Sequence, residues 1–327
     1  MTNQGTQQAA EGHIGRRLLS VVVPVFFNEP SLPPLFEELK ALEGRLRQRA
    51  VDLELIFVDD GSGDGSLSAL LAIHTARPST VVIKLTRNFG AATAVKTGLR
   101  RASGDALVIL AADLQDPVAQ IDAMVDAWLQ GQPFVICVRR TRKDPWLNRL
   151  ASAVYYRLVR RIVIQGYPIG GFDMMLMTRQ IYRHLADSPP NTNLHLLAFW
   201  LGFEPTVLDY DRPARPFGRS RWSVAKRLKL VADTVTGFSV VPIRLMSMLG
   251  LLAAGVSFLY AIFMFVSALS RGVSVPGFAT TVVLISFFGG MILLMLGMIG
   301  EYLWRIFENT AHKPDGVVET VYDDSEA

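Results

Sequence analysis

The chain has 327 residues, of which 50% are hydrophobic, and its formal net charge is +4 at pH 7. This length allows about two domains, and the apolar fraction is high for a purely soluble protein. The single cysteine, Cys137, excludes an internal disulfide. The charge is modest and the basic residues lie near apolar segments, which favours contact with anionic lipid or phosphate and not with nucleic acid.

The chain begins with 17 residues that contain no apolar core of the kind a signal peptide needs. We predict a disordered tail over residues 1–17. We also expect the domain that follows to stay in the cytoplasm, a compartment in which an unpaired cysteine is normal.

Residues 18–222 alternate between short apolar runs and helix-length segments. Nearly continuous runs of Val, Ile and Leu are typical of parallel strands covered on both faces. Five such runs are "LLSVVVPVFF", "LELIFVDD", "TVVIKLTRN", "DALVILAAD" and "PFVICVRR". Residues 118–130 have helical spacing, and we predict Asp116 and Pro117 as the N-cap and first-turn proline of this helix. The fold class is therefore α/β, with a mostly parallel sheet and helices on both faces.

Polar residues follow four of these predicted strands. Ligands of open α/β sheets bind at the carboxyl ends of the strands. Any one of these groups alone would be typical of a turn, but four in succession favour a binding site. They are Asn28 with Glu29, Asp59 with Asp60, Arg87 with Asn88, and Asp113 with Gln115 and Asp116.

Two apolar blocks in residues 242–306 are each long enough to cross a bilayer. We predict spans at about 245–270 and 279–304, with a pair of buried core helices as the alternative. Residues 223–241 combine helical apolar spacing with Lys226, Arg227 and Lys229 and are predicted as an interfacial helix. Because the basic residues flank the two blocks from outside, both termini are expected in the cytoplasm, including a C-terminal tail at 307–327.

Five stretches together resemble family 2 glycosyltransferases of the GT-A fold, above all bacterial polyprenyl-phosphate (bactoprenol) glycosyltransferases and dolichol-phosphate mannose synthases. The stretches are "VVVPVFFNE" (21–29), "VDDGSGDGS" (58–66), "RNFGAATAVKTGL" (87–99), "RASGDALVILAADLQDP" (101–117) and "RPARPFGRSRWS" (212–223).

With two C-terminal spans, the resemblance implies a multi-pass enzyme of the bacterial inner membrane, serving cell-envelope glycan modification. It would transfer one sugar, with inversion, from a nucleotide sugar such as UDP-glucose to undecaprenyl or decaprenyl phosphate at the cytoplasmic face. The implied partners are the donor, the lipid acceptor, the bilayer and other copies of the chain in a tetramer.

The resemblance also implies which residues bind the donor. The carboxylates of Asp59 and Asp60 can accept hydrogen bonds from ribose hydroxyls or base N–H groups, and arginine forks suit phosphate oxygens. The implied donor-binding residues are Pro24, Asn28, Glu29, Asp59, Asp60, Asn88, Lys96, Arg212, Arg215 and Arg221.

A divalent cation, Mg²⁺ or Mn²⁺, is expected at Asp113 and Gln115, whose oxygens suit such ions. The family's usual run is Asp-x-Asp-x-Gln, but Ala111 stands at the position of the first Asp. We therefore expect weak metal affinity in the absence of the donor.

Three residues are implied in catalysis: Asp113, Asp173 and Arg139. An Asp near position 173 is the family's candidate base. A phosphate monoester with a second pKa of about 6 is already largely ionised at neutral pH, so it has little need of a base. The alternative role of Asp173 is therefore to orient the acceptor or the sugar.

Three alternative functions remain open from the sequence. A GDP-mannose-dependent mannosyltransferase has the same motifs. A processive polysaccharide synthase would carry Gln-x-x-Arg-Trp, but Gly218 stands before Arg221 and Trp222 at the Gln position. The third alternative, motivated by Ala111, is an inactive membrane scaffold.

Overall fold

The computed structural model describes most of the chain, and its residues fall into two compact units that divide at 157/158, 165/166, 222/223 and 313/314. The described residues are 16–140, 156–157, 159–168, 170–189, 192–211, 234, 239, 241–271, 277–311 and 313–324. The predicted interfacial helix at 223–241, apart from three residues, and the tail residues 1–15 lie outside this description.

The described strands and helices mostly alternate through the first unit, and two long helices precede the last strand. The strands are β1 (Arg17–Val25), β2 (Val51–Asp59), β3 (Thr80–Leu85), β4 (Ala106–Ile109), β5 (Phe134–Arg139), β6 (Met174–Thr178), β7 (Thr206–Tyr210) and β8 (Val318–Tyr322). The helices are α1 (Leu32–Arg47), α2 (Ser66–Ala76), α3 (Ala91–Arg101), α4 (Gln120–Leu129), α5 (Arg179–Ala186), α6 (Leu194–Trp200), α7 (Val241–Arg271) and α8 (Phe278–Thr310).

The strands form one sheet in the order β7-β5-β6-β4-β1-β2-β3-β8. β1 pairs in parallel with β2 and β4, β2 with β3, and β5 with β7. β6 is antiparallel to β4 and β5, and β8 is antiparallel to β3. The predicted α/β fold with a mostly parallel sheet is confirmed, and all five predicted strands are present.

The central strands of the sheet are buried on both faces, as their near-continuous apolar sequences require. Val21, Val23 and Val25 of β1 are fully buried, and so are Ser20 and Val22 on the opposite face. Removing this apolar surface from water is the main stabilising contribution to such a core, at about 25 cal/mol per Å². The parallel strands consequently present their carboxyl ends at one edge of a rigid sheet.

The predicted helix cap at Asp116 is wrong. Helix α4 begins at Gln120 and its N-cap position is Ala119. Asp116 is instead only 5% exposed. A carboxyl group that the sequence placed on a helix end is thus buried at the edge of the sheet.

The C-terminal segment adds a strand that the sequence analysis did not predict. After α8 the chain returns to the first unit, where β8 pairs with β3 in the register Val82 with Tyr322 and Ile83 with Val321. Lys84 forms an ion pair with Glu319 at 2.7 Å. Residues 318–322 are therefore part of the sheet.

In the second unit, α7 and α8 are both long and apolar enough to cross a membrane, by length and composition. The candidate spans are Ile243–Tyr260 and Phe287–Thr310. Large apolar side chains such as Leu251 and Leu293 are exposed, at 77% and 70%, a pattern that in a stable helix pair indicates an apolar surrounding or partner.

Candidate active site

The loops that follow β1, β2 and β3 are joined to one another at the carboxyl edge of the sheet. The backbone N–H of Phe27 donates to Ser62 Oγ at 3.1 Å, and that of Asn28 donates to Ser66 Oγ at 2.9 Å. A Cβ on Gly61, whose φ is +67°, would lie 2.6 Å from the backbone carbon of Arg87. We call these three segments, 26–31, 59–66 and 86–90, the donor loops.

Asp60 fixes the third donor loop. Its carboxylate accepts the backbone N–H of Phe89 at 2.7 Å and that of Gly90 at 2.9 Å. Burial raises the pKa of Asp60 and the charge of Asp59 adds to this, while the two N–H groups oppose it. Each carboxylate oxygen has a further lone pair, so Asp60 can hold this loop and still accept a bond from a ligand.

The other predicted donor residues of the first two loops also lie at this edge. Asp59 is fully buried and accepts the N–H of Ser62 at 3.3 Å. Asn28 Oδ1 accepts the N–H of Phe26 at 3.0 Å, and Glu29 Oε2 accepts the N–H of Gly65 at 2.9 Å. Glu29 is exposed and Pro24 is half-buried in β1. The structure thus brings these residues together.

Asn88 is exposed in the third donor loop, but Lys96 is not. Lys96 is 2% exposed and donates to the carbonyl oxygens of Ser188 at 2.6 Å and Pro189 at 3.2 Å. Its ammonium group also forms an ion pair with Asp315. The Lys96 ammonium group is therefore bound within the protein, and we do not propose Lys96 as a residue that binds the sugar donor.

The acidic loop after β4 contains the two predicted metal ligands. Leu114 has a left-handed backbone with a φ of 58°, an uncommon conformation for a branched residue. The carboxylate of Asp113 accepts the N–H of Gln115 at 3.2 Å. This turn places Asp113 and Gln115 side by side, and both are half-buried.

Asp116 completes the acidic loop on its buried side. Burial and, after it, the charges of Asp173 and Asp113 raise its pKa to about 7, whereas Arg139 and Tyr210 oppose the rise. The group is consequently partly protonated at neutral pH. Asp116 thus interacts electrostatically with Asp113 of the same loop and with Asp173 of a distant segment.

Arg139 and Asp173 form a two-pronged ion pair. Arg139 Nη2 lies 2.5 Å from Asp173 Oδ1, and Nε contacts Oδ2. The N–H of Asp173 donates to the carbonyl oxygen of Cys137 at 3.2 Å. Since β6 is antiparallel, its first residues lie at the carboxyl edge beside β4 and β5, which is how Asp173 meets the end of β5.

Tyr210 and His195 also contact Asp173, and the sequence analysis gave neither of them a role. The hydroxyl of Tyr210 donates to Asp173 Oδ2 at 2.9 Å. A ring nitrogen of His195 lies 3.4 Å from the carbonyl oxygen of Asp173, and burial lowers the pKa of His195. Strand pairing places Tyr210 beside Arg139, and His195 comes from helix α6; Tyr210 lies two residues before the stretch 212–223 quoted for the family resemblance.

Three predicted donor residues, Arg212, Arg215 and Arg221, lie outside the described residues. So do Arg142 and Lys143 of the basic run after β5.

The acidic loop fits a divalent cation. The charges of Asp113 and Asp173 both act on Asp116, so negative charge collects at this loop, and the oxygens of Asp113 and Gln115 are hard ligands. Among the described residues, no group of three His, Cys, Asp or Glu side chains could hold a metal ion by itself. Mg²⁺ commonly takes one or two carboxylates together with substrate phosphates and water.

The chain is similar to known glycosyltransferases over most of its length. The model of Glycosyl transferase family 2 matches residues 20–186. A bactoprenol glucosyl transferase of Shigella phage SfV is 32% identical and covers 92% of this chain and 98% of its own. A prophage bactoprenol glucosyl transferase homolog of Escherichia coli strain K12 is 30% identical and covers 93% and 99%.

Among solved structures, glucosyl-3-phosphoglycerate synthase from Mycobacterium tuberculosis, in complex with Mg²⁺ and UDP, is 19% identical. It has a TM-score of 0.49 and covers 67% of this chain and 79% of its own. The family match spans the strand ends from which the donor loops, the acidic loop and Asp173 arise. The chain therefore belongs to glycosyltransferase family 2 and is an enzyme of that family.

Proposed function

We propose that the chain transfers a single sugar from a UDP-hexose, with UDP-glucose favoured, to a polyprenyl phosphate at the cytoplasmic face of the membrane. The observation that carries this proposal is the meeting of two sites at one sheet edge: carboxylate-lined donor loops, and an Arg139–Asp173 pair suited to a phosphate. The two relatives named as bactoprenol glucosyl transferases support the acceptor class.

On the donor side, Asp59 and Asp60 accept hydrogen bonds from the nucleoside. Asp60 has a second task, because its contacts with Phe89 and Gly90 set the shape of the third donor loop. Glu29 and Asn28 act mainly by holding the first two loops against each other. A preformed pocket of this kind lowers the ordering cost of binding.

At the leaving group, Asp113 and Gln115 would hold a divalent cation, Mg²⁺ or Mn²⁺. Bound there, the ion would neutralise charge that develops on the departing diphosphate. Because Ala111 replaces a carboxylate, much of the binding would depend on the donor's own phosphate oxygens.

On the acceptor side, Arg139 presents its remaining N–H donors to a phosphate oxygen of the lipid. Asp173 orients Arg139 and is not required as a base, since the acceptor phosphate is already largely ionised at neutral pH. The oxygens of Asp173 are engaged by Arg139 and Tyr210, so proton abstraction would require this pairing to break. Attack by the phosphate oxygen opposite the leaving diphosphate gives inversion.

Membrane attachment is part of the proposal. We assign α7 and α8 as two spans of a bacterial inner membrane. Both chain ends and the first unit, here called the transferase unit, would lie on its cytoplasmic side. From the family resemblance we also propose a tetramer. The arginines at 212, 215 and 221 would contact the donor and acceptor phosphates.

The test is turnover by the purified protein in nanodiscs with undecaprenyl phosphate, Mg²⁺ and a donor panel of UDP-glucose, UDP-N-acetylglucosamine and GDP-mannose. We expect release of UDP from one UDP-hexose. Asp113→Asn should lower turnover by about 10²–10³, the loss typical of a key electrostatic group.

Asp52→Asn is the matched control, because this exposed carboxylate pairs with Arg16 at the opposite edge of the sheet. It should leave turnover unchanged. Nucleotide binding without turnover on any donor would refute the proposed transfer, and turnover with GDP-mannose alone would refute the choice of donor.

A further inference from the structure

The hydroxyl of Tyr210 lies between two carboxyl groups that come from different segments. It is 2.9 Å from Asp173 Oδ2 and 3.4 Å from Asp116 Oδ1. The residue is 4% exposed. A phenol has one proton to donate, and the shorter distance indicates that Asp173 receives it.

The position of Tyr210 is fixed by the same strand that carries Arg139. The two residues are register partners in the parallel pair β5 and β7. The carbonyl oxygen of Tyr210 accepts the N–H of Arg140 at 3.0 Å, and the N–H of Asp173 donates to Cys137, also on β5. One strand therefore sets the relative positions of Arg139, Asp173 and Tyr210.

Burial and the surrounding charges keep the Tyr210 hydroxyl protonated, so that it can donate a hydrogen bond. Burial raises the pKa of Tyr210 well above its ordinary value, and the carboxylates of Asp173 and Asp116 raise it further. The phenol consequently stays protonated at neutral pH. Hydrogen bonds to charged groups are stronger and more directional than those between neutral groups, so the contact restricts rotation of the Asp173 carboxylate.

We propose that Tyr210 is a positioning residue for the transfer reaction, which holds the Asp173 carboxylate so that Arg139 meets the acceptor phosphate in one fixed orientation. This inference rests on the proposed function, in which Arg139 binds the acceptor. Tyr210 acts through Asp173 and does not itself touch substrate.

The test is a double-mutant cycle of Tyr210→Phe and Asp173→Asn, with steady-state kinetics on undecaprenyl phosphate and on the sugar donor. Tyr210→Phe should lower kcat/KM for the lipid about tenfold, as expected for loss of a bond to a charged group, and leave the donor KM within about twofold. In the Asp173→Asn background, Tyr210→Phe should lower kcat/KM for the lipid by less than about twofold, because the effects of substitutions at residues that act through one contact are not additive.

Tyr182→Phe is the matched control. Tyr182 is 1% exposed, and its hydroxyl donates to the carbonyl oxygen of Gly104 at 2.8 Å, just before β4 and so at the opposite edge of the sheet. It should leave both KM values and kcat unchanged. Thermal unfolding of each variant shows whether the protein is folded at the assay temperature.

The outcomes separate the two proposals. If the wild-type protein transfers no sugar, the proposed function fails and this inference fails with it. If the wild type is active but Tyr210→Phe keeps its acceptor kcat/KM, or costs tenfold in both backgrounds, the inference alone is overturned.

Discussion

Asp315→Asn tests whether the C-terminal segment is a structural part of the transferase unit. The side chain of Lys96 is 3% exposed and that of Asp315 is 9% exposed, and the two form an ion pair. The amide variant would leave the Lys96 ammonium buried against the carbonyl oxygens of Ser188 and Pro189 without its counter-ion. We therefore expect a large loss of stability.

The size of the loss follows from burial. Removing one partner of a buried ion pair typically costs about 3–5 kcal/mol, which lowers Tm by roughly 6–20 °C for a unit of this size at 2–4 °C per kcal/mol. Asp315 also lies 3.2 Å from Arg100, whose side chain is 44% exposed. That second pair contributes little, because solvent screens exposed charges.

The assay is thermal unfolding of the full chain in detergent, with Glu319→Gln as the matched control. Glu319 pairs with Lys84 in the same returning segment, but the two side chains are 44% and 29% exposed. Its loss should cost less than about 1 kcal/mol. If Asp315→Asn melts within about 2 °C of the wild type, or no lower than Glu319→Gln, the reasoning about the buried pair is wrong.

Two further predictions concern the acids of the site. Asp60→Asn puts an amide where two backbone N–H groups need an acceptor, so UDP affinity measured by titration calorimetry should fall about tenfold; unchanged affinity would contradict the assigned role. The pKa of Asp116 is raised from 3.8 to about 7, so its ionisation destabilises the fold as pH rises from about 4 to 7. The free energy of unfolding of Asp116→Asn should therefore exceed that of the wild type by up to roughly 4 kcal/mol above pH 7, and the two should be equal near pH 4. Unfolding measured across this pH range checks this, and a difference that does not change with pH would contradict it.

Much of the site could be predicted because parallel strands share one edge. Apolar runs ending in polar residues identified β1 to β5, and the register of Val25 with Asp59 places the first two strand ends side by side. The positions of Asp59, Asp60, Asp113 and Asp173 at this edge follow from that rule together with the family resemblance.

The parts that could not be predicted depend on contacts between distant segments. β8 is a short strand with acidic neighbours, and it pairs with a strand about 235 positions earlier in the chain, the separation of Lys84 and Glu319. Asp315 of the same returning segment forms an ion pair with Lys96, a residue that the family resemblance alone had assigned to donor binding. Tyr210 acquires a role only through its register with Arg139.

Asp116 shows the opposite error, in which a local rule was followed too far. An Asp before a Pro is a common helix start, but the helix begins four residues later, at Gln120. The carboxyl group is used inside the fold, against Tyr210.

The central claim, transfer of one sugar to a lipid phosphate, is tested most directly by mass spectrometry of the lipid product. After incubation of the full chain with undecaprenyl phosphate, Mg²⁺ and a UDP-hexose, the account predicts one hexose per lipid, joined through the single phosphate, with one UDP released for each product. UDP release without a glycosylated lipid, or a ladder of lipids carrying several sugars, would contradict it.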